Sequence, residues 1–546
     1  MTADALGPAE AALAPAEEIN TWDVTADLAV VGTGVAGLTA ALRGAELGLR
    51  VVAVTKTTIE EGNTRWAQGG VAVVLPETGD SLEAHVADTV AAGAGLCDDV
   101  AVHAILAAGP AAVSALRAHG AIFDSSAGCL ERTREGGHRA FRVIHAGGDA
   151  TGAEVERVLT AAARGAQLPL LEGQPVTEVL RDDTGRVAGL ALLSDRLGPG
   201  VLRTRAVLLA TGGLGQLYAA STNPAVATGD GLALALRAGA LTADLEFVQF
   251  HPTALYLGPD TRGRQPLVTE AIRGAGAILL DTMGDPVMTN VHPLGALAPR
   301  DVVAAAITSR MATTGTDHVL LDATHLGAAE LRRRFPTVYA ACEAIGVDPA
   351  RSPIPVVPAA HYHCGGVVTD TRGRTTVPGL YAAGEVARTG LHGANRLGSN
   401  SLLEGLVMGA RAAEAIAADL AISPCPGPPR PPAEVRPAAD RDAVQRAMTA
   451  HAGIGRHAAG LAAAWAVVGV TTRRPMQTPR DAEDAGLTLA AAAVLAAATA
   501  RTETRGCHVR TDHPRTAARW RRSITVVLDD AGVPVSAQPG LVGGAA

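Results

Sequence analysis

The sequence predicts an α/β protein built on a Rossmann-like dinucleotide-binding domain, with an inserted second domain and a helical unit at the C-terminus. Three observations predict it. An apolar strand runs straight into a G-x-G-x-x-G turn, two further strand-like runs end in glycine turns far downstream, and a proline-dense stretch precedes alanine-rich segments.

The chain has 546 residues, and residues 1–25 read as a disordered leader. The first of them are acidic and rich in Ala and Pro, without the cationic start and apolar core of a signal peptide. Asp27–Val31 then enters Gly32-Thr33-Gly34-Val35-Ala36-Gly37-Leu38, a helical stretch follows to Gly48, and a second strand covers Val51–Thr55. In such a turn the first glycine permits the tight bend, the second lets backbone approach a pyrophosphate, and the third lets helix pack on strand. The second strand ends at Thr55-Lys56 and not at the acidic residue that grips a ribose, which argues against NAD and for a different dinucleotide. Asn63-Thr64-Arg65-Trp66-Ala67-Gln68-Gly69-Gly70 is a polar, glycine-ended loop that serves equally as surface or as cofactor wall.

Two more strand-like runs, Ala206–Ala210 before Thr211-Gly212-Gly213 and one around Val377–Tyr381 before Gly384-Glu385, belong with the first two in one sheet. Residues 26–244 and 361–422 therefore form one discontinuous domain, with 245–360 inserted between its halves. Residues 423–438 are too proline-rich for a domain interior and read as a linker, and 439–546 as a separate helical unit. Ala485–Ala500 is the longest apolar stretch, too short and alanine-rich for a membrane span, so it reads as a helix of a soluble protein.

The formal net charge is -8, which offers no general attraction to nucleic acid or anionic membrane. An anionic substrate must be drawn by local positive charge. The six cysteines have no close pair in sequence, so clustered-thiolate zinc and iron–sulfur sites are not expected, and isolated thiols suit a reducing cytosol.

His361–Glu404 concentrates the chemistry. It holds His361-Tyr362-His363-Cys364-Gly365-Gly366, then Gly379–Glu385, then His392-Gly393-Ala394-Asn395-Arg396, running on through Ser401, Leu402 and Glu404. Glycine turns beside histidines and an arginine suit a large polar cofactor lying next to a charged substrate. Taken singly, His251 in Gln249-Phe250-His251-Pro252-Thr253 and His361 read first as core histidines. Arg300 can pair with Asp301 or cap a helix, and Glu135 in Thr133–His138 reads as surface charge. Arg505-Gly506-Cys507-His508 and Asp512 read as structural, docking the last unit against the cofactor domain.

Together and in order, these motifs resemble the flavoprotein family of succinate dehydrogenase and fumarate reductase, most closely its L-aspartate-oxidising branch. The resemblance runs from about Asp27 to Met408 and, more weakly, through Arg501–Pro514. It implies an FAD-binding domain with an α+β capping domain inserted. Where the membrane-bound relatives place the histidine that binds FAD covalently, this chain has Asn63, so FAD is expected to be held noncovalently. Gly32, Gly34, Gly37 and Leu38 are carried over to the pyrophosphate, and Lys56 to the adenosine end. Asn63, Thr64, Ala67, Gln68, Gly69, Gly70, Ser401 and Leu402 are carried over to the flavin, and Asp230 and Glu385 to ribityl or ribose hydroxyls.

The resemblance also implies the reaction. Hydride would pass from the α-carbon of L-aspartate to FAD while the amine loses a proton, giving iminoaspartate for NAD biosynthesis by way of quinolinate. His251, His361 and Arg396 are expected to bind the carboxylates, Glu135 to face the ammonium, and Arg300 to move the proton. No metal is expected. Dioxygen or fumarate would reoxidise the flavin, and the product would pass to quinolinate synthase in the cytoplasm. The rival readings are a fumarate reductase or succinate dehydrogenase subunit and a catalytically silent flavin-binding scaffold.

Overall fold

The computed structural model describes residues 22–76, 79–194 and 198–537. Its central sheet has the strand order Leu170–Leu171, Val51–Val54, Trp22–Val31, Gly198–Leu209, Val187–Ser194, Val176–Arg181, with Leu380–Ala382 also pairing on Gly198–Leu209. Val30 lies beside Ala53 on one side and Leu208 on the other, both in parallel register, and Leu209 lies beside Ala382. The four strand-like runs of the sequence thus meet in one sheet, although Leu209 and Leu380 are separated by the whole insert. Helices Val35–Glu46 and Asn400–Ile422 cross over its face, and Gly405 and Gly409 let their backbones come close at Val35 and Ala36. The core there is aliphatic, with Leu28, Val30, Leu38, Leu208, Leu403 and Met408 fully buried.

The insert has its own sheet. Val248–Leu255 pairs antiparallel with Ile354–His363, which also pairs with Val319–Asp322 and, through it, reaches Ile278–Leu280. Helices Arg300–Thr314, Gly327–Arg334 and Pro336–Ala344 accompany it. Asp149 of the cofactor domain ties the two together: its carboxylate accepts hydrogen bonds from the backbone N–H groups of Thr337 and Val338. These are unsatisfied donors at a helix start, where a negative charge is favoured.

Several expected boundaries move. The first strand starts at Trp22, inside the expected leader, because the parallel partner strand runs far enough to pair with it; residues 1–21 lie outside the described residues. Ile354–His363 continues as a strand of the insert past residue 360, so His361 belongs to the capping sheet. The expected linker ends as a strand, Val435–Ala438, paired with Thr472–Pro475.

The C-terminal unit is neither purely helical nor separate. Its helices Arg441–Ala452, Ala458–Val468 and Pro479–Ala500 share a core with Leu214, Leu232 and Val248, and its hairpin Thr525–Leu528/Pro534–Ala537 pairs with Thr242–Ala243. Among the described residues, two helical stretches, 99–118 and 479–500, are long and apolar enough to cross a membrane; the second is mostly buried against this core.

The docking motif behaves as its residues suggest. Cys507 N donates to Ala394 O, Arg505 Nη1 to Ala94 O, and Arg501 pairs with Glu246 and Glu503 with no solvent exposure of the three side chains. Replacing Arg501 with Met strands the buried Glu246 carboxylate, one of whose oxygens already lacks a partner. The expected cost is about 3–5 kcal/mol, read as a large fall in thermal unfolding midpoint.

Candidate active site

A long cleft runs along the C-terminal ends of the parallel strands, from Lys56 and Gln174 at one end to Arg300, His361 and Arg396 at the other. Gly32 has φ +104, and a side chain there would overlap the Ala210 carbonyl; one at Gly37 would overlap Gly32 itself. Gly34 leaves the start of helix Val35–Glu46 without a capping side chain, so its first turn faces the cleft as an anion-binding end. Thr64 Oγ1 accepts from Val35 N and pins the Asn63–Gly70 loop over this turn.

Thr64, Ala67, Gln68, Gly69, Gly70, Ser401 and Leu402 line the cleft, as do Lys56, Asn63, Asp230 and Glu385. Leu38 does not: its side chain is fully buried in the core between helix and sheet. Gly37 likewise serves helix–strand packing. Lys56 Nζ binds Asp230 and Glu483, and Asn63 Nδ2 donates to Glu385 Oε2. Burial pushes the Glu385 carboxyl up to about 7. Asn63 Oδ1, Gln68 Oε1, Thr211 Oγ1 and Trp66 Nε1 are buried without partners, a set of unmet polar groups that fits a dinucleotide cofactor.

At the far end two guanidinium groups share one acceptor. Arg396 Nη2 donates to Gln249 Oε1 at 3.1 Å and Arg300 Nη1 donates to the same oxygen at 3.4 Å. Gln249 Nε2 is fixed in turn by Asn395 Oδ1 and Arg396 O. Arg300 opens helix Arg300–Thr314 and pairs with Glu270 at 2.7 Å, not with Asp301, and Arg273 holds the other Glu270 oxygen. Arg396 lies over the Tyr362 ring at 4.2 Å, and Tyr362 Oη is anchored on Glu404 and His392.

His251 and His361 meet edge to face at 5.0 Å on the paired strands of the insert. Thr222 Oγ1 holds His361 Nδ1 at 2.7 Å, while His251 Nε2 is buried without a partner. Glu135 Oε2 accepts from Ser399 Oγ, and Glu135 Oε1 is buried and unpaired. Ser399 has φ +62, an uncommon backbone state for a side-chain-bearing residue that recurs at functional sites. Gly398 leaves room at the meeting of Glu135, Glu270 and Arg300; a Cβ there would stand about 3 Å from all three.

Burial, then the neighbouring guanidiniums, holds both histidines well below 6.5, so they are neutral at neutral pH. Burial and Arg300 lower Arg396 to about 10, which leaves it charged. The cavity therefore presents two cations and the neutral His361, with the neutral His251 packed against His361 and the unpaired Glu135 oxygen just behind Gly69.

The structure brings Arg300, His251, His361 and Arg396 together and sets Glu135 close by, behind Gly398 and Ser399. Sequence reasoning missed Gln249, Glu270, Arg273, Thr222 and Ser399. Gln249 and Ser399 stood beside residues already singled out, whereas Glu270 and Arg273 carried no signal beyond i, i+3 spacing on a short helix.

Residues 27–402 match the model of an FAD binding domain family, and residues 480–539 that of the fumarate reductase flavoprotein C-terminus. An L-aspartate oxidase of Streptomyces coelicolor is 52% identical over 93% of this chain and 92% of its own. One of Mycobacterium tuberculosis is 53% identical over 92% and 96%. Among solved structures, E. coli quinol fumarate reductase FrdA, carrying a point mutation, superposes with a TM-score of 0.83 at 30% identity, covering 95% of this chain and 97% of that one. Mycobacterium smegmatis Sdh1 in complex with UQ1 gives 0.79 at 31%, covering 95% and 94%.

Because His251 and His361 are held neutral, the affinity for a four-carbon dicarboxylate is expected to show no inflection around pH 6.5. An inflection there in a pH series would mean that one imidazole gains a proton in the working range.

Proposed function

We infer the chemistry of the cleft from one premise: the chain belongs to the L-aspartate oxidases, within the FAD-binding flavoprotein family of fumarate reductase and succinate dehydrogenase. It is an FAD-dependent oxidoreductase that oxidises L-aspartate to iminoaspartate, feeding NAD biosynthesis by way of quinolinate. The observation that carries the substrate reading is the pairing of two buried guanidiniums with a buried, unpaired Glu135 oxygen beside the cofactor cleft. Opposite charges at these places match the two carboxylates and the ammonium of one amino acid.

When bound, FAD supplies a two-electron acceptor for the α-hydrogen. We assign the remaining steps to this chain's residues. Arg396, held over the Tyr362 ring, grips one carboxylate with its planar fork, and His251 and His361 donate to carboxylate oxygens as neutral imidazoles. Holding both ends orients the α-carbon; positioning of this kind supplies up to about 7–11 kcal/mol.

Glu135 receives the ammonium. As the C–H electron pair leaves with its hydrogen, the amine gives up a proton to the Arg300 end of the site. A guanidinium already carries its proton, so Arg300 takes this one only as it passes its Nε proton to the Glu270 carboxylate bonded there, whose other oxygen Arg273 holds.

Asn63 in place of a flavin-linking histidine supports noncovalent FAD; its amide donates to Glu385. Arg300, His251 and His361 sit on the insert, Arg396 and Glu135 on the cofactor domain, which supports closure of the insert over bound substrate. A cavity built for one four-carbon dicarboxylate also admits fumarate, which we place beside dioxygen as acceptor. Transfer of iminoaspartate to quinolinate synthase and a cytoplasmic location, in keeping with six free thiols, complete the reading.

The second reading, oxidation of succinate, is opposed by Glu135, since a dicarboxylate without an amine gains nothing from another buried negative charge. Anaerobic titration decides between the two: L-aspartate is expected to bleach the oxidised flavin, and bleaching by succinate alone would reverse the assignment.

Arg396→Leu is expected to lower kcat/KM for aspartate by about 100-fold, the loss of a bidentate charge-assisted pair, with FAD still bound. Glu135→Gln is expected to cut kcat/KM for aspartate by about tenfold or more while succinate binds as well as before or better. Equal effects on both ligands would place Glu135 away from the amine.

A further inference from the structure

The second strand of the cofactor domain ends without the carboxylate that ordinarily accepts the ribose hydroxyls in a dinucleotide fold. Lys56 stands there instead, and an ammonium can only donate. Its Nζ bridges the cofactor domain and the C-terminal unit. It binds Thr228 Oγ1 at 2.6 Å and Asp230 Oδ2 at 2.7 Å at the start of helix Asp230–Arg237, and Glu483 Oε1 at 2.7 Å on helix Pro479–Ala500 of the C-terminal unit. Glu483 lines the same cleft as the glycine turn, together with Met476 of the C-terminal unit and Arg436 of the strand that precedes it.

The arrangement is built, not incidental. Arg441 Nη2 holds the second Glu483 oxygen at 2.9 Å and Arg441 Nε holds Asp484, so both ends of the carboxylate are fixed. Two small-residue contacts seat the helix: Gly486 faces Asp230, and Ala490 faces Gly229. Bonded once at each oxygen, the carboxylate keeps free lone pairs, and its side chain is still 19% exposed.

We propose that Glu483 is a ribose-binding carboxylate at the adenosine end of the FAD site, imported by Lys56 from the C-terminal unit. The C-terminal helices then form a wall of the cofactor site, and FAD binding and their docking support each other. The proposal rests on the FAD reading above and adds a residue and a domain to it.

The test uses the full-length chain stripped of flavin, titrated with FAD and with FMN, which has the same ring system but ends before the adenosine. Glu483→Gln is expected to weaken FAD about tenfold or more, the loss of a charge-assisted hydrogen bond, and to leave FMN unchanged. Unchanged FAD affinity, or an equal loss for both flavins, overturns the proposal and leaves Glu483 a structural ion-pair partner. Failure of the native chain to take up either flavin would remove the cofactor reading itself, and the proposal with it. A second readout needs no variant. On addition of FAD to the native chain, amide hydrogen exchange in the first turns of helix Pro479–Ala500 is expected to slow, and exchange that stays the same there overturns the proposal.

Discussion

Two like charges buried side by side are the constraint on which this structure depends. Arg300 and Arg396 sit at one cavity wall with almost no access to water. Left alone, they would repel each other and pay the full cost of desolvation. The surrounding residues relieve this in layers. Gln249 gives both groups one oxygen to share, and Glu270 neutralises Arg300 from behind while Arg273 holds its other oxygen. Tyr362 spreads its ring under Arg396. What remains unmet is the demand of the two guanidiniums, and the two carboxylates of the substrate meet it. Burial, and after it the charge of these guanidiniums, keeps both imidazoles neutral, so they can donate hydrogen bonds without adding a third and fourth charge.

The cofactor cleft and the substrate cavity are one continuous space lined by three parts of the chain. The glycine turn and its helix hold one end, and the insert brings His361 and Arg300 to the other, with His251 packed edge to face on His361. The C-terminal unit closes the side at Glu483. This explains why the hydrophobic core of the last unit is shared with Leu214, Leu232 and Val248. A domain that borders a ligand site on several sides must be fixed to its neighbours by packing as well as by chain connection.

Much of this was legible in the residues. The strand–turn–helix opening, the discontinuous sheet and the insert follow from apolar runs that end in glycine, because those local patterns need no partner to be recognised. Arg396 stood out through the glycine and small polar residues around it, whereas His361 read as a core histidine until the motifs were taken together. The misplacements share one cause. Leu38 sits in the motif, yet its direction is set by helix phase, which turns it into the core. His361 changes sheet because strand pairing, a nonlocal matter, carries on past residue 360. Glu270 and Glu483 gained their meaning only from partners tens to hundreds of residues away, and Arg273 gained its meaning through Glu270. The proline-rich segment 423–438 suggested a break in the chain's organisation, but composition says nothing of the strand that its last four residues form with Thr472–Pro475.

The chain crosses between cofactor domain and insert at Thr242–Ala243 on the way out and Gly366–Val368 on the way back, and these two segments are neighbours in one small sheet. The C-terminal hairpin pairs along the outer edge of the same sheet, and Arg388 and Ser523 both hold the Asp244 carboxylate. A body attached by one strand can swivel in any direction; one attached by two adjacent, cross-bonded strands can swing only about a single axis, as a door does on its jamb. Each swing would then bring the insert's side chains back to the same place over the flavin, and the accuracy of that return would be set by a hairpin lying far from the chemistry.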